Sequence, residues 1–180
     1  MKPFNRILQG TALAVVLGLT CALSLSTAQA GDTKPFKETG TETVVTGLGA
    51  GALLQPLFAE ARETYGPEVW SGIILQYSHN NVGGRGVSVL FEAVHLDPTA
   101  PTGVIIAVMK YETVANGDQF VVSGYIVPQS DGTYAINASL EPGLGTGRFA
   151  NAAATFTKLA AIPGGYVLEG TITTVGAAKK

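Results

Sequence analysis

Cysteine and histidine are nearly absent from this sequence. Its one cysteine, Cys21, lies in an apolar N-terminal segment, so the chain after residue 30 has none. That part of the chain therefore has no disulfide, no thiolate nucleophile and no cysteine metal ligand. The two histidines, His79 and His95, occupy unlike settings, one in a polar turn and one at a strand end. The sequence therefore predicts no metal site, and the fold must be held by its own hydrophobic core.

Charge is also scarce, since only 13% of the residues are Asp, Glu, Lys or Arg. The first thirty residues hold two of the eleven basic residues and none of the thirteen acidic ones, which leaves nine against thirteen and a formal charge of −4. The longest basic run after them is Lys179-Lys180. Nucleic-acid binding requires a positive surface that displaces counterions, so no nucleic-acid partner is expected.

Residues 1–30 have the three parts of a secretory signal. Lys2 and Arg6 supply positive charge, residues 11–26 are uncharged and mostly apolar, and an A-Q-A cleavage pattern ends at Ala30. The apolar stretch is short for a membrane span of about 20 residues. The sequence thus predicts cleavage, no transmembrane span afterwards, and export to the periplasm or the exterior of a bacterium. The remaining 150 residues suffice for one domain.

The chain after residue 42 alternates short apolar runs with turn residues. Residues 31–42 are polar and predict a flexible lead-in to a single domain over 43–180. The runs are rich in Val, Ile, Thr, Tyr and Phe, as strands are. With 43–46 as a first strand, they cover residues 69–77, 87–95, 104–111, 120–127, 134–140, 148–156 and 166–175.

Eight short strands at regular spacing predict an all-β fold. We expect an antiparallel up-and-down, calycin-like barrel, because closure removes both sheet edges; a β-sandwich is the alternative. Residues 52–65 differ from the strands, with apolar residues at helical spacing and charged residues opposite. They predict one short helical segment, for which closure of one end of the barrel is one placement among others that the sequence leaves open.

Two glycine loops, residues 47–52 (G-L-G-A-G-A) and 143–147 (G-L-G-T-G), raise the question of phosphate binding. The first follows a strand and precedes a helix, as a dinucleotide site does. However, the alternating strands and helices of that fold do not follow, and no acidic residue ends a second strand. The second loop leads into a strand, without a helix N-terminus to bind an anion. Both loops are interpreted as close-packed turns, and no cofactor is predicted.

Residues 145–152, G-T-G-R-F-A-N-A, resemble a hairpin of allene oxide cyclase-like and dirigent-like barrels, a group with many small secreted bacterial members. A-N-G-D at 115–118 and L-E-G-T-I at 168–172 resemble neighbouring parts of those proteins. The resemblance extends over 103–175 and implies an eight-stranded barrel that holds a small apolar ligand. In plant members that pocket steers cyclisation or coupling, and the proteins form trimers, which implies a homo-oligomer here. The matched residues are scaffold positions of a turn: Gly145, Thr146, Gly147 and Phe149.

Glu92 is the foremost candidate for chemistry, because it lies in the middle of a predicted strand. The face that contains Val87, Val89 and Phe91 is more apolar than its own, which favours solvent exposure for Glu92. In a lumen, desolvation would raise its pKa and make it a general acid or base. Four other residues are candidates for orienting a ligand oxygen: Tyr111, Tyr125, Tyr134 and Asn137. For the three tyrosines, core or rim positions with the hydroxyl at water are the favoured explanation, whereas the sequence leaves both faces open for Asn137.

The sequence leaves three functions open. The first is a non-enzymatic protein that binds a small hydrophobic molecule. The second is a cofactor-free cyclase or isomerase, as the resemblance implies. The third is a structural protein of the cell envelope that associates with itself. Ser-His-Asp catalysis has no support, because the sequence lacks a G-x-S-x-G elbow.

Overall fold

The structure, a computed structural model, describes residues 31–46 and 54–174. The signal predicted at 1–30 and the glycine loop predicted at 47–52 lie outside the described residues. The described chain forms eight strands, one α-helix (α1) and one 3-10 turn. In chain order these are β1 (Asp32–Thr46), α1 (Ala59–Tyr65), β2 (Trp70–Asn80), β3 (Gly84–Leu96), β4 (Val104–Val114), β5 (Gln119–Pro128), β6 (Tyr134–Leu140), the 3-10 turn (Gly147–Phe149), β7 (Ala153–Ile162) and β8 (Gly165–Thr174).

Each strand pairs antiparallel with the next one along the chain, and β8 pairs with β1 to close the sheet. The predicted all-β, eight-stranded, up-and-down barrel is therefore confirmed, and the sandwich alternative is not. Closure is uneven around the circumference. Only one registered residue pair, Tyr134 with Leu159, joins β6 to β7.

Residues 32–42 belong to β1, where the sequence predicted a flexible lead-in. Asp32 to Thr41 pair with β8, and Glu38 to Thr46 pair with β2. The many polar residues of this segment suggested a loop. They are explained by their positions, because Lys37, Thr39 and Thr41 lie on the exposed side of the strand. β1 is therefore held in the barrel by its pairing with β2 and β8 and by a few inward-facing residues, such as Phe36 and Glu38.

The G-T-G-R-F segment is a turn, as predicted, but the strand after it begins at Ala153 instead of residue 148. Gly147 has φ = +54°, and a Cβ atom there would lie 1.9 Å from Asp118 Oδ1. Any side chain at Gly147 would therefore be both strained and obstructed. Thr146 holds the turn against β5, since its hydroxyl accepts a hydrogen bond from the amide of Gln119 at 2.9 Å.

The helix α1, whose placement the sequence left open, lies on the outside of the barrel and does not close an end. Leu54, Phe58 and Ala61 pack against Ala93 and Ala107, small residues of β3 and β4. Because those two alanines alternate with lumen-facing neighbours, α1 covers the outer surface of the sheet. Among the described residues, no helix has the length and apolar character needed to cross a membrane.

One end of the barrel is filled by buried apolar side chains, here called the apolar plug. It lies at the end where β4 turns into β5, and Phe149 from the glycine turn inserts into it, 4.7 Å from the Phe120 ring. Its buried members are Phe36, Val114, Phe120, Val122, Leu140, Phe149, Phe156 and Ile172. The lumen is therefore closed at this end, and any site inside it opens towards the other.

Candidate functional site

A group of charged and phenolic side chains meets inside the barrel, here called the buried ion cluster. It consists of Glu38 from β1, Lys110 and Glu112 from β4, and Tyr166 from β8. β1 and β4 are not neighbours in the sheet, so a contact between Glu38 and Lys110 spans the lumen. All four residues are buried, and Glu38 is 0% exposed.

Lys110 is the centre of the cluster. Its ammonium group donates to Glu38 Oε1, lies 2.7 Å from Glu112 Oε2 and donates to the Tyr166 hydroxyl at 3.2 Å. The Tyr166 hydroxyl in turn donates to Glu38 Oε1. The ammonium group is thus held by two hydrogen bonds and by an ion pair with a second carboxylate.

Glu112 is held from the other side by short polar residues. Its Oε1 accepts hydrogen bonds from Ser78 Oγ at 2.9 Å and Asn80 Nδ2 at 3.0 Å. Gly86 provides the space, because a Cβ atom there would lie 2.5 Å from Glu112 Oε1. The sequence thus places a glycine where β3 passes the carboxylate of β4.

Burial and charge oppose one another in this cluster. Burial disfavours the ammonium form of Lys110, but the carboxylates of Glu38 and Glu112 outweigh that effect and raise its pKa. Burial raises the pKa of Glu38, and the nearby Glu112 raises it further, against the lowering effect of Lys110. Glu38 Oε2 has no hydrogen-bond partner among the described residues. The cluster therefore has more carboxylate than its one cation can satisfy.

Next to the cluster lies a cavity of about 90 Å³. Lys110 and Tyr166 line it on one side, together with Glu42, Gln76 and Glu92. The opposite wall, from β5 to β8, is apolar and consists of Val122, Ile126, Ile136, Ala138, Phe156, Leu159 and Leu168. Glu42 is exposed to solvent. The cavity is thus polar on one side, apolar on the other, and reaches solvent beside Glu42.

Glu92 faces this cavity, contrary to the solvent exposure that its strand pattern favoured. Burial, and secondarily the negative charge of Glu42, raises the pKa of Glu92 to about 7. No described residue donates a hydrogen bond to its carboxyl group. Glu42 is better satisfied, because Gln76 Nε2 donates to it at 2.8 Å, and Gln76 in turn accepts from Ser88 at 2.9 Å. Glu92 is therefore the carboxyl group most available to a molecule in the cavity.

The other predicted ligand-binding residues do not join this group. Tyr111 and Tyr125 lie on the outer face of β4 and β5, in register with outward residues, and Asn137 lies outside on β6. Tyr134 lies on the inner face of β6 but does not line the cavity. The burial of Tyr125, with the charge of Glu60 on α1, raises its pKa.

In β2, β3 and β4, polar side chains occur on the inner face and exposed apolar ones on the outer face, which is the reverse of the usual arrangement. Their inner faces hold Gln76, Ser78, Ser88, Lys110 and Glu112, whereas their outer faces carry several exposed apolar residues. Tyr77, Val87 and Tyr111 are 60%, 50% and 41% exposed on that outer surface. Because polar residues in strands usually face water, the alternation pointed the wrong way and the buried ion cluster was missed. The available signal was that the polar positions recur in three consecutive strands, opposite apolar residues.

No metal site emerges from the described part of the chain, where no three His, Cys, Asp or Glu side chains have a metal-binding arrangement.

Replacing Lys110 by Met is expected to destabilise the protein by about 3–5 kcal/mol at pH 7, because two buried carboxylates lose their cation. Without Lys110 the folded-state pKa of Glu38, which burial already raises, rises further above the unfolded value of about 4.3, so the loss grows as the pH increases from there and shrinks in acid. Urea unfolding between pH 4 and pH 8 measures this. Lys37→Met, at an exposed pair with Glu169, is the control and should change little. Equal behaviour of the two variants would refute the role of Lys110.

Glu92→Gln is expected to become stabilising relative to the wild type as the pH rises. In the wild type the folded pKa of about 7 exceeds the unfolded value, so stability falls between roughly pH 4.5 and pH 7. The gain should be on the order of 3 kcal/mol above pH 7 and should vanish below pH 4. Urea unfolding across this range measures it, with Glu63→Gln on the exposed side of α1 as control. A pH-independent difference would contradict the assignment.

A scan of the chain against models of known protein families gives no match. A search of curated proteins likewise finds no similar sequence. The function is therefore argued from the lumen and the sequence alone.

Proposed function

We propose that this protein is exported and binds a small, largely apolar molecule in the lumen of its barrel. The observation that carries the proposal is the cavity of about 90 Å³ between the buried ion cluster and the apolar wall of β5–β8. Eight-stranded barrels have interiors just wide enough to be filled by side chains or to hold one small ligand. Here the side chains fill the plugged end and leave space beyond it.

The dimensions of the cavity limit the size of the bound part. An engineered cavity of about 150 Å³ accommodates benzene, so the space here suits a group somewhat smaller. Burying apolar surface gains roughly 25 cal/mol per Å², which favours an aliphatic body against the wall of Ile126, Ile136 and Leu159. A longer tail would leave the cavity on the solvent side, beside Glu42.

Two features of the sequence support this proposal. The signal-like residues 1–30 favour export, and the G-T-G-R-F turn resembles the hairpin of allene oxide cyclase-like and dirigent-like barrels. That resemblance implies a pocket for a small apolar molecule.

Replacing Ala138 by Leu should abolish binding, because the added carbon atoms project into the cavity from the inner face of β6. Xenon is a suitable probe, since it enters apolar cavities and needs no polar partner. Its binding is measured by the chemical shifts of the methyl groups of Leu90, Val108 and Ile126 during titration. Ala135→Leu adds the same atoms to the exposed outer face of the same strand and is the matched control.

The expected result is saturable shifts in the wild type and in Ala135→Leu, and none in Ala138→Leu. Native mass spectrometry of the wild type, purified from its own host, should also show a bound mass that denaturation releases. The absence of xenon shifts in the wild type would overturn the proposal.

A second candidate function is proton transfer by a cofactor-free cyclase or isomerase. The observation that favours it is Glu92, whose pKa of about 7 and position in the cavity suit a general acid or base. In such a reaction, the Glu92 carboxylate takes a proton from a carbon atom next to a carbonyl group. It then returns the proton to the same molecule at a second position, so no other reactant is consumed.

Cyclopentanone in D₂O provides a test of this second function, because proton abstraction replaces its α-hydrogens by deuterium. The wild type should accelerate the exchange, with a rate that rises as the pH passes through about 7 and Glu92 ionises. Glu92→Gln should reduce the rate to that of the buffer, whereas Glu63→Gln should leave it unchanged. Exchange that is equal in all three proteins, measured by NMR, would exclude Glu92 as the base.

A further inference from the structure

The charges around the cavity are unbalanced. Four carboxyl groups belong to the cavity lining or to the adjoining buried ion cluster: Glu38, Glu42, Glu92 and Glu112. Lys110 is the one basic side chain in the same set of described residues. The polar side of the lumen therefore has an excess of negative charge.

The ammonium group of Lys110 is already engaged by other residues of the buried ion cluster. Lys110 donates hydrogen bonds to Glu38 and Tyr166, and its ammonium group also forms an ion pair with Glu112 Oε2 at 2.7 Å. Detaching it from either carboxylate would leave a buried charge without a partner, which is strongly unfavourable. A molecule with a carboxylate or phosphate group would meet the negative charges of Glu42 and Glu92 and find no free cation. Anionic ligands are therefore disfavoured.

The carboxyl groups, in contrast, include oxygen atoms that accept no hydrogen bond from the described residues. Glu92 receives no hydrogen bond from any described residue, and the fully buried Glu38 Oε2 also lacks a donor. An ionised carboxylate in an apolar setting is stabilised most by a charge-assisted hydrogen bond from a cation. Of these two carboxyl groups, Glu92 lines the cavity, whose opposite wall is apolar.

From this arrangement we infer that the lumen selects small molecules with a protonated amine on a short aliphatic body. The ammonium group binds Glu92, with Glu42 nearby, and the aliphatic part packs against Ile126, Ile136 and Leu159. This inference rests on the proposed binding function and specifies the class of ligand.

The inference also specifies a dependence on pH. The charged and titratable groups that surround Glu92 are Glu38 and Glu42 of β1, Lys110 and Glu112 of β4, and Tyr166 of β8. The cavity-lining residues of β2 and of β5 to β7 carry none. Because burial raises the pKa of Glu92 to about 7, the ammonium gains its partner charge above that pH and loses it below.

Three four-carbon probes of similar size and the smaller, uncharged xenon test the inference on the purified wild-type protein. These are n-butylamine, 1-butanol, butanoate and xenon, each titrated at pH 8 and pH 5.5 and measured by methyl chemical shifts. Butylamine remains protonated at both values, since alkyl amines have pKa values above about 10. At pH 8 it should bind at least about tenfold more tightly than 1-butanol, a difference of about 1.4 kcal/mol. Butanoate should bind most weakly.

At pH 5.5 the advantage of butylamine over 1-butanol should shrink severalfold. Glu92→Gln should remove that advantage at pH 8 while leaving 1-butanol and xenon binding, which shows that the lumen is intact. Glu42→Gln, a milder change at the solvent side, should reduce it. Glu63→Gln on α1 should have no effect.

The outcomes separate the inference from the function on which it rests. If xenon and 1-butanol bind but butylamine has no advantage, or if butanoate binds best, the amine class is wrong and the binding function stands. If an advantage of butylamine is the same in Glu92→Gln, the assignment of Glu92 is wrong. If none of the four probes binds, xenon included, the proposed function itself fails.

Discussion

The burial of Lys110 between Glu38 and Glu112 is the constraint on which the rest of the lumen depends. Moving these charges from water into a barrel carries a desolvation cost that only close contacts and further hydrogen bonds offset. Ser78 and Asn80 supply such bonds, and Gly86 leaves the space for them. Because Glu38 belongs to β1 and Lys110 to β4, the same contacts hold opposite sides of the barrel at a fixed separation. The cavity exists beside a cluster that cannot collapse into it.

The cluster also explains why the lumen has two unlike sides. β1 to β4 supply the polar residues, whereas β5 to β8 supply an apolar wall, apart from Tyr166. A side chain such as Glu92 then faces both environments, and its pKa of about 7 follows from the apolar surroundings and the nearby Glu42. Under the proposed functions, this carboxyl group is the partner of a bound cation or the acid or base of a proton transfer.

The sequence predicted the barrel well because turns and strand composition are local properties. Residues such as Gly132 and Gly164, both with φ near +80°, mark where strands end. The sequence was a poor guide wherever contacts with distant parts of the chain determine the structure. β1 looked like a loop because its outward side is polar, and the sequence did not decide the place of α1, which packs against Ala93 and Ala107 on the outside. The candidate site was largely missed, because the sequence pattern of a strand is the same whether its polar residues face water or a buried charge. Only a contact across the barrel, as between Lys110 and Glu38, makes the distinction.

The ladder between β6 and β7 is almost missing, and this seam adjoins the cavity through Ile136 and Leu159. Elsewhere the circumference of the barrel is set by backbone hydrogen bonds, which allow little variation in strand spacing. At the seam it is set by the volumes of side chains. The width of the lumen at the seam therefore depends on a few side chains, and a change in their volumes alters it without breaking a strand ladder.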